Sequence, residues 1–158
     1  PVANGGTNLS SGFINGTTTV GKVLQLVNGT TTSSFTTSSG SFGTVGINLN
    51  ITPSATSSKI LLLFSATVDT SASGRQGDLT IWREISSSNI ALNGNGFMQL
   101  YNSAGRNVGS GTFNYYDSPS TTNQILYRVA ARSNTGTEIN IGANTGGTIT
   151  LTAIEVGA

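Results

Sequence analysis

The chain has 158 residues, a length that suits one domain, and carries 7 basic and 6 acidic side chains for a formal net charge of +1. Seven scattered cations make no basic patch, so the electrostatic footprint of a nucleic-acid binder is missing. Cysteine and histidine are absent, which removes disulfides, thiolate metal sites and the commonest acid–base group, and no apolar run is long enough to cross a bilayer as a helix.

Gly, Ser, Thr and Asn (21, 21, 24 and 16) fill 82 positions. Such a composition suits either a disordered chain or a turn-rich β-protein with a surface of hydroxyls and amides. Alternating apolar positions decide for the second.

Residues 1–20 (NGGT, SSG, NGTTT) are low-complexity, with Phe13 and Ile14 as anchors. They are expected to be a linker or stalk remnant before a β-sandwich domain at 21–158. No basic stretch followed by an apolar one occurs there, so no signal peptide is predicted. KVLQLV (22–27) puts Leu24 and Leu26 on one face and Val23, Gln25 and Val27 on the other. NGT at 28–30 reads as a turn and TTSSFTT as a weak polar strand. GINLNI turns Ile47, Leu49 and Ile51 inward, and Pro53 ends it.

KILLLFSATV (59–68) has Ile60, Leu62, Phe64, Ala66 and Val68 on one face, yet Leu61 and Leu63 make the other face apolar too. Further strands are expected at DLTIWREI, GFMQLY, TFNYYD, QILYRVAARS, EINI and TITLTAIEV. In QILYRVAARS, Ile125, Tyr127, Val129 and Ala131 point one way. In the last strand Ile149, Leu151 and Ala153 point inward, while Ile154 and Val156 fall on the opposite face. Either a bulge near Ala153 shifts the register, or both faces are covered, by a loop or the other sheet or by other copies around a three-fold axis.

No segment keeps a helical period, and turn signals recur about every 8–12 residues, the mark of a sandwich or barrel. The fold class is therefore all-β: a jelly-roll-like antiparallel β-sandwich of about ten strands. If successive strands alternate in direction, the loops opposite the termini are 28–30, 53–58, 86–95, 118–123 and 143–147.

Motifs with catalytic or metal-binding outlines are incomplete. GSFGTVG (40–46) lacks the Gly-Lys-Ser/Thr ending and the helix of a phosphate loop. DTSASG (69–74) lacks the carboxylates a calcium loop needs at its third and fifth positions, and Thr80 stands where the bidentate acid belongs. Glu84 and Asp117 lie near strand ends at one predicted pole, but nothing in their spacing supports a glycosidase pair. Four Asn-x-Ser/Thr sequons, at Asn8, Asn15, Asn28 and Asn50, are what chance gives in such a composition. No catalytic residue, metal or cofactor is expected, and the chain reads as a non-enzyme.

The aromatics suggest a binding role. Trp82 alternates with Ile81 and so lies on an outer face, and Tyr101, Tyr115 and Tyr116 surround two loops. Sugars are held by aromatic platforms and by amides and hydroxyls. Trp82, Tyr116, Asp117, Asn89, Asn93 and Asn95 form a candidate glycan-contacting set. The plainer reading has Trp82 capping the core or filling a subunit interface and Tyr116 packing on a neighbouring strand.

PVANGGT resembles the VANGGTG element that recurs in phage tail-fibre chains, departing from it at Asn8, where that family more often has Gly. GKVLQLVNGTTTSS, NITPSATSSKILLLFSATV and LYRVAARS…GTITLTAIEV are similar to successive parts of a distal domain common in tail fibres of marine and cyanobacterial phages. The likeness covers 1–68 and 124–156; the middle matches loosely. It implies a virion protein on the particle surface and a homotrimeric fibre tip. Its N-terminal side would join other virion proteins, and its tip would bind a host glycan or outer-membrane protein, without membrane insertion. Leu61, Leu63, Ile154 and Val156 are then the expected trimer interface. Two other roles fit the residues: a capsid decoration or head-fibre module, and a secreted bacterial carbohydrate-binding module.

Overall fold

The computed structural model describes residues 22–70, 72–142 and 147–157. The predicted stalk segment 1–20 and most of the 143–147 loop lie outside the described residues.

Eleven strand segments follow one another: β1 (Lys22–Thr31), β2 (Phe35–Thr37), β3 (Gly43–Ile51), β4 (Lys59–Thr70), β5 (Arg75–Ile85), β6 (Ser88–Ala91), β7 (Met98–Asn102), β8 (Asn107–Asp117), β9 (Ile125–Ser133), β10 (Ile139–Ile141) and β11 (Ile149–Gly157). A front sheet runs β1-β11-β4-β10-β2, with β8 on the free side of β4; a back sheet runs β3-β9-β5-β6, with β7 also on β5. Every pairing is antiparallel.

The registers reduce these segments to eight strands. β10 and β11 both run antiparallel to β4, at Val68–Asp69 and at Lys59–Ser65, and so form one interrupted strand. β1 and β2 lie against that strand in one direction. β6 and β7 lie along β5 as one strand with 92–97 looped out. Counted this way, the front sheet has the order first–eighth–third–sixth and the back sheet second–seventh–fourth–fifth. This is jelly-roll connectivity, as the alternating sequence predicted.

The core follows from alternation. Ile47, Leu49, Ile51, Ile60, Leu62, Phe64, Leu79, Ile81, Ile125, Tyr127, Val129, Ile149 and Leu151 are all buried between the sheets. Each large aliphatic side chain taken from water contributes about 1.5–3 kcal/mol. Phe97, from the looped-out segment, stacks on Phe113 at 5.4 Å and tilts against Tyr115 at 4.8 Å, and Phe113 stacks on Phe64 at 4.7 Å. These rings close the side where β7 and β8, the free edges of the two sheets, face each other.

Two expectations are corrected and one of two alternatives is excluded. NGT is not a turn: Asn28, Gly29 and Thr30 stay in the ladder opposite Thr152, Leu151 and Thr150, and Asn28 Nδ2 donates to Thr152 Oγ1 at 2.7 Å. No bulge interrupts β11 against β4; the shift lies on β1, between Val23 and Gln25. The loop assignment is inverted. Loops 52–58, 86–87 and 118–124 stand at the same end as Lys22 and Gly157, and 38–42, 72–74, 103–106 and 134–138 stand at the other. The cause is the broken strands, whose interruptions read in sequence as reversals.

Candidate interaction surfaces

Near the end that holds Lys22 and Gly157, the outer face of the front sheet is apolar where an antiparallel sheet facing water should be polar. Cross-strand register aligns Leu26, Ile154, Leu61 and Tyr116 in one row over β1, β11, β4 and β8. Leu26 is 59% exposed and Tyr116 52%, while Ile154 and Leu61 are half-buried among them. Val23 and Val156 are partners in the flanking row, and Leu63 lies between Thr152 and Asn114 on the other side. The four residues expected at an interface, Leu61, Leu63, Ile154 and Val156, thus share one face. Leu26 and Tyr116 belong there too. Plain alternation in KVLQLV set Val23 on the face opposite Leu26; the bulge between Val23 and Gln25 instead brings Val23 to the outer face beside Val156.

On the inner side of β11, strict alternation turns Glu155 into the sandwich, fully buried, opposite Gln25 and Ile60. Its carboxylate accepts from Gln25 Nε2 and from the Ser54 N–H, both at 2.6 Å, and from the Ser54 hydroxyl at 3.2 Å. Burial pushes this carboxyl up, but the Ser58 hydroxyl beside it, the Gln25 amide and the Ser54 donors outweigh that and hold it below the usual glutamate value. A carboxyl depressed in the fold stabilises above its unfolded pKa, and that stability is lost as pH falls through the folded value. The melting temperature should therefore fall on acidification below about pH 4. Glu155→Gln should be less stable at neutral pH and show a shallower acid limb in a thermal-melt series.

The six residues expected to contact glycan do not form one site. Asp117 is buried in the core: one carboxylate oxygen accepts from Arg83 Nη1 at 2.7 Å and the Ser118 N–H at 2.9 Å, the other from Tyr127 Oη at 2.5 Å. β8 turns position 117 inward opposite Ile60, so this carboxylate ties the two sheets together and is closed to a receptor. Burial and the bonded carboxylate push the Tyr127 phenol far above its ordinary value. Tyr116 and Trp82 sit on the outer faces of different sheets with the core between them.

Trp82, half-buried between Arg128 and Ala91, shares the outer face of the back sheet with exposed Asn89, which lies opposite Glu84. Asn95 is exposed on the neighbouring 92–97 loop. Asn93 is spent on that loop: its Nδ2 donates to Gly96 O at 2.8 Å, its Oδ1 accepts from the Asn95 N–H at 3.0 Å, and its carbonyl accepts from Thr80 Oγ1 at 2.7 Å.

The charges are largely consumed internally. Arg83 pairs with Asp117, Arg106 with Asp69, Arg128 with Glu84 and Arg132 with Asp78, and the Arg132 guanidinium also lies 4.5 Å above the Phe42 ring. Glu84 and Asp117 are thus each held by an arginine, one on the outer face of the back sheet and one in the core, and do not face each other across a cleft.

No family model matches the chain, and no curated protein does. Among solved structures it is similar to a protein in the structure of infectious bursal disease virus, Gx strain, at 12% identity and a TM-score of 0.46, over 84% of this chain and 40% of that one. A viral-particle structure of the same virus gives 13% identity and a TM-score of 0.42, over 84% of this chain and 37% of that one. A mutant VP2 protein of that virus gives 12% and 0.39, over 84% and 39%. The chain spans about two fifths of the length of the proteins it resembles in these structures.

Proposed function

We propose that this chain is a virion structural protein, the trimeric tip domain of a fibre that recognises the host cell surface. The observation that carries the reading is the apolar row Leu26–Ile154–Leu61–Tyr116, with Val23, Val156 and Leu63 beside it. A continuous apolar stripe across four strands marks a contact surface. A second and third copy of this chain are its occupants. Lys22 and Lys59 are the charged side chains on or beside the stripe among the described residues, so like-charge repulsion between copies is slight.

With the front sheets turned to the three-fold axis, the back sheets face outward and present Trp82, Asn89 and Asn95. Those three remain as surface contacts for a host glycan or protein, Tyr116 moves to the interface, and three weak sites on one tip bind by avidity.

Sedimentation equilibrium tests the assembly. The protein should sediment as three copies, and Leu61→Lys combined with Ile154→Lys should give a folded single copy, each change weakening association by about 2 kcal/mol or more. A wild-type single copy overturns the trimer. Adsorption to host cells with Asn89 and Asn95 changed to alanine tests the outward face; unchanged adsorption removes those residues from it.

A further inference from the structure

Each sheet has two edges, and among the described residues three of the four are blunted. Along β1 the register shifts between Val23 and Gln25, and β2, its continuation, has three residues. β3 shifts register between Thr44 and Asn48, with Gly46 at a φ of 82°. β6 and β7 have four and five residues with a loop between them. Bulges and short, broken strands keep sheet edges from pairing with other chains. β8 has none of these devices. Its eleven residues pair with β4, from Ile60 opposite Asp117 to Thr70 opposite Asn107, without a shift. Asn107 to Tyr116 contain no charge and no proline. No other strand lies along its far side, so its outward N–H and C=O groups have no ladder partner among the described residues.

The sequence of β8 is complementary to itself. Laid antiparallel on a second copy about Thr112, it sets Thr112 opposite Thr112, Gly111 opposite Phe113, Ser110 opposite Asn114, Gly109 opposite Tyr115 and Val108 opposite Tyr116. Alternation keeps each pair on one face of the joined sheet. Threonine pairs and aromatic–β-branched pairs stabilise a ladder, and an aromatic ring covers a glycine opposite it. An added Cβ at Gly109 would meet nothing within 4 Å, so Tyr115 of the second copy finds open space there. On the outer face Val108 is 44% exposed and Tyr116 52%, and in this register each covers the other.

We propose that β8 is a docking edge for a second copy of this chain, joined strand to strand about Thr112 into one continuous sheet. Pairing over eleven positions makes about ten backbone hydrogen bonds, the number in an ordinary interface. One strand pair falls short of the roughly 1,200 Å² that a stable complex buries, so the contact is weak, with a dissociation constant on the order of 100 micromolar. At low micromolar protein only the apolar stripe assembles. The contact uses the lateral edge of β8 and not its outer face, so it goes beyond the three-fold reading and links one tip to the next.

Cysteine cross-linking tests the register, because the chain has no cysteine of its own. Facing residues of an antiparallel pair have Cα atoms about 4.5–5.5 Å apart, within the span of a disulfide. Thr112→Cys in the whole chain, oxidised with copper phenanthroline at a few hundred micromolar protein, should run as a two-chain band on a denaturing gel. Ser110→Cys alone should not, since its two copies stand about 13 Å apart along the strands, but it should link to Asn114→Cys when the two are mixed. All three positions are exposed, so chance collision would link them equally. In sedimentation at the same concentration, Thr112→Lys and Thr112→Glu should each lose the association, and their equal mixture should regain it. Equal linking by Ser110→Cys alone, or a Thr112→Lys protein that associates as the wild type does, would overturn the proposal. Leu61→Lys with Ile154→Lys separates the two contacts: it should lose the three-fold assembly and keep the Thr112 link. A trimer without that link or any association at high concentration sinks the edge alone, whereas the link in a protein that never forms trimers keeps the edge and loses the fibre tip.

Discussion

Asp117→Ala is expected to lower the unfolding free energy by about 3–5 kcal/mol, the cost of breaking a buried ion pair from one side. The substitution strands two groups at once. Arg83 loses its carboxylate at 2.7 Å, and the fully buried Tyr127 loses the acceptor of its hydroxyl at 2.5 Å. Both partners belong to the back sheet while Asp117 belongs to the front, so the loss falls on the contact between sheets. Tyr127→Phe removes a single bond and should cost about 1–3 kcal/mol, with Arg83 still paired. Urea unfolding at one fixed protein concentration measures both. A loss under about 1 kcal/mol for Asp117→Ala would mean that water reaches the pair and screens it.

Gly77→Ala should be the most damaging single methyl in the back sheet. Gly77 is buried in β5, paired with Leu100 on one side and Ser133 on the other. A Cβ there would overlap the Ile139 side chain, which reaches across from the front sheet, and would lie 2.8 Å from Arg132 O. Ile139 can rotate or be shortened, but the Arg132 carbonyl belongs to the adjacent strand and cannot retreat without moving the ladder. The expected cost is at the upper end of the roughly 1–3 kcal/mol typical of overpacking. Combining it with Ile139→Val should return only part of that loss in thermal melts, and full recovery would show that the backbone contact is harmless.

Much of this architecture was written in short-range pattern. Ile47, Leu49 and Ile51, the even positions of 60–68 and the odd positions of 125–131 all face inward as alternation required. Chain direction was harder to read. Thr31 to Phe35 and Ile141 to Ile149 look like turns, but the chain emerges from each still heading the same way, so parity counted reversals that do not occur. Asp117 was misplaced for another reason. Its neighbours in sequence are polar, and only Arg83 and Tyr127, 34 and 10 residues away, explain its burial. A usable signal existed: Arg83 shares parity with Ile81, and an inward arginine demands an inward acid. Glu155, in step with Ala153, carried the same message.

The pairing of Arg83, Arg106, Arg128 and Arg132 within the chain leaves Lys22, Lys59, Arg75 and Glu138 as the surface charges without an ion-pair partner among the described residues. Screening by dissolved ions acts on uncompensated charges across distances of about a Debye length. A molecule that settles its charges at home offers such ions little to weaken. The contacts proposed for it, made through an apolar stripe, amides and hydroxyls, are therefore expected to change little with ionic strength.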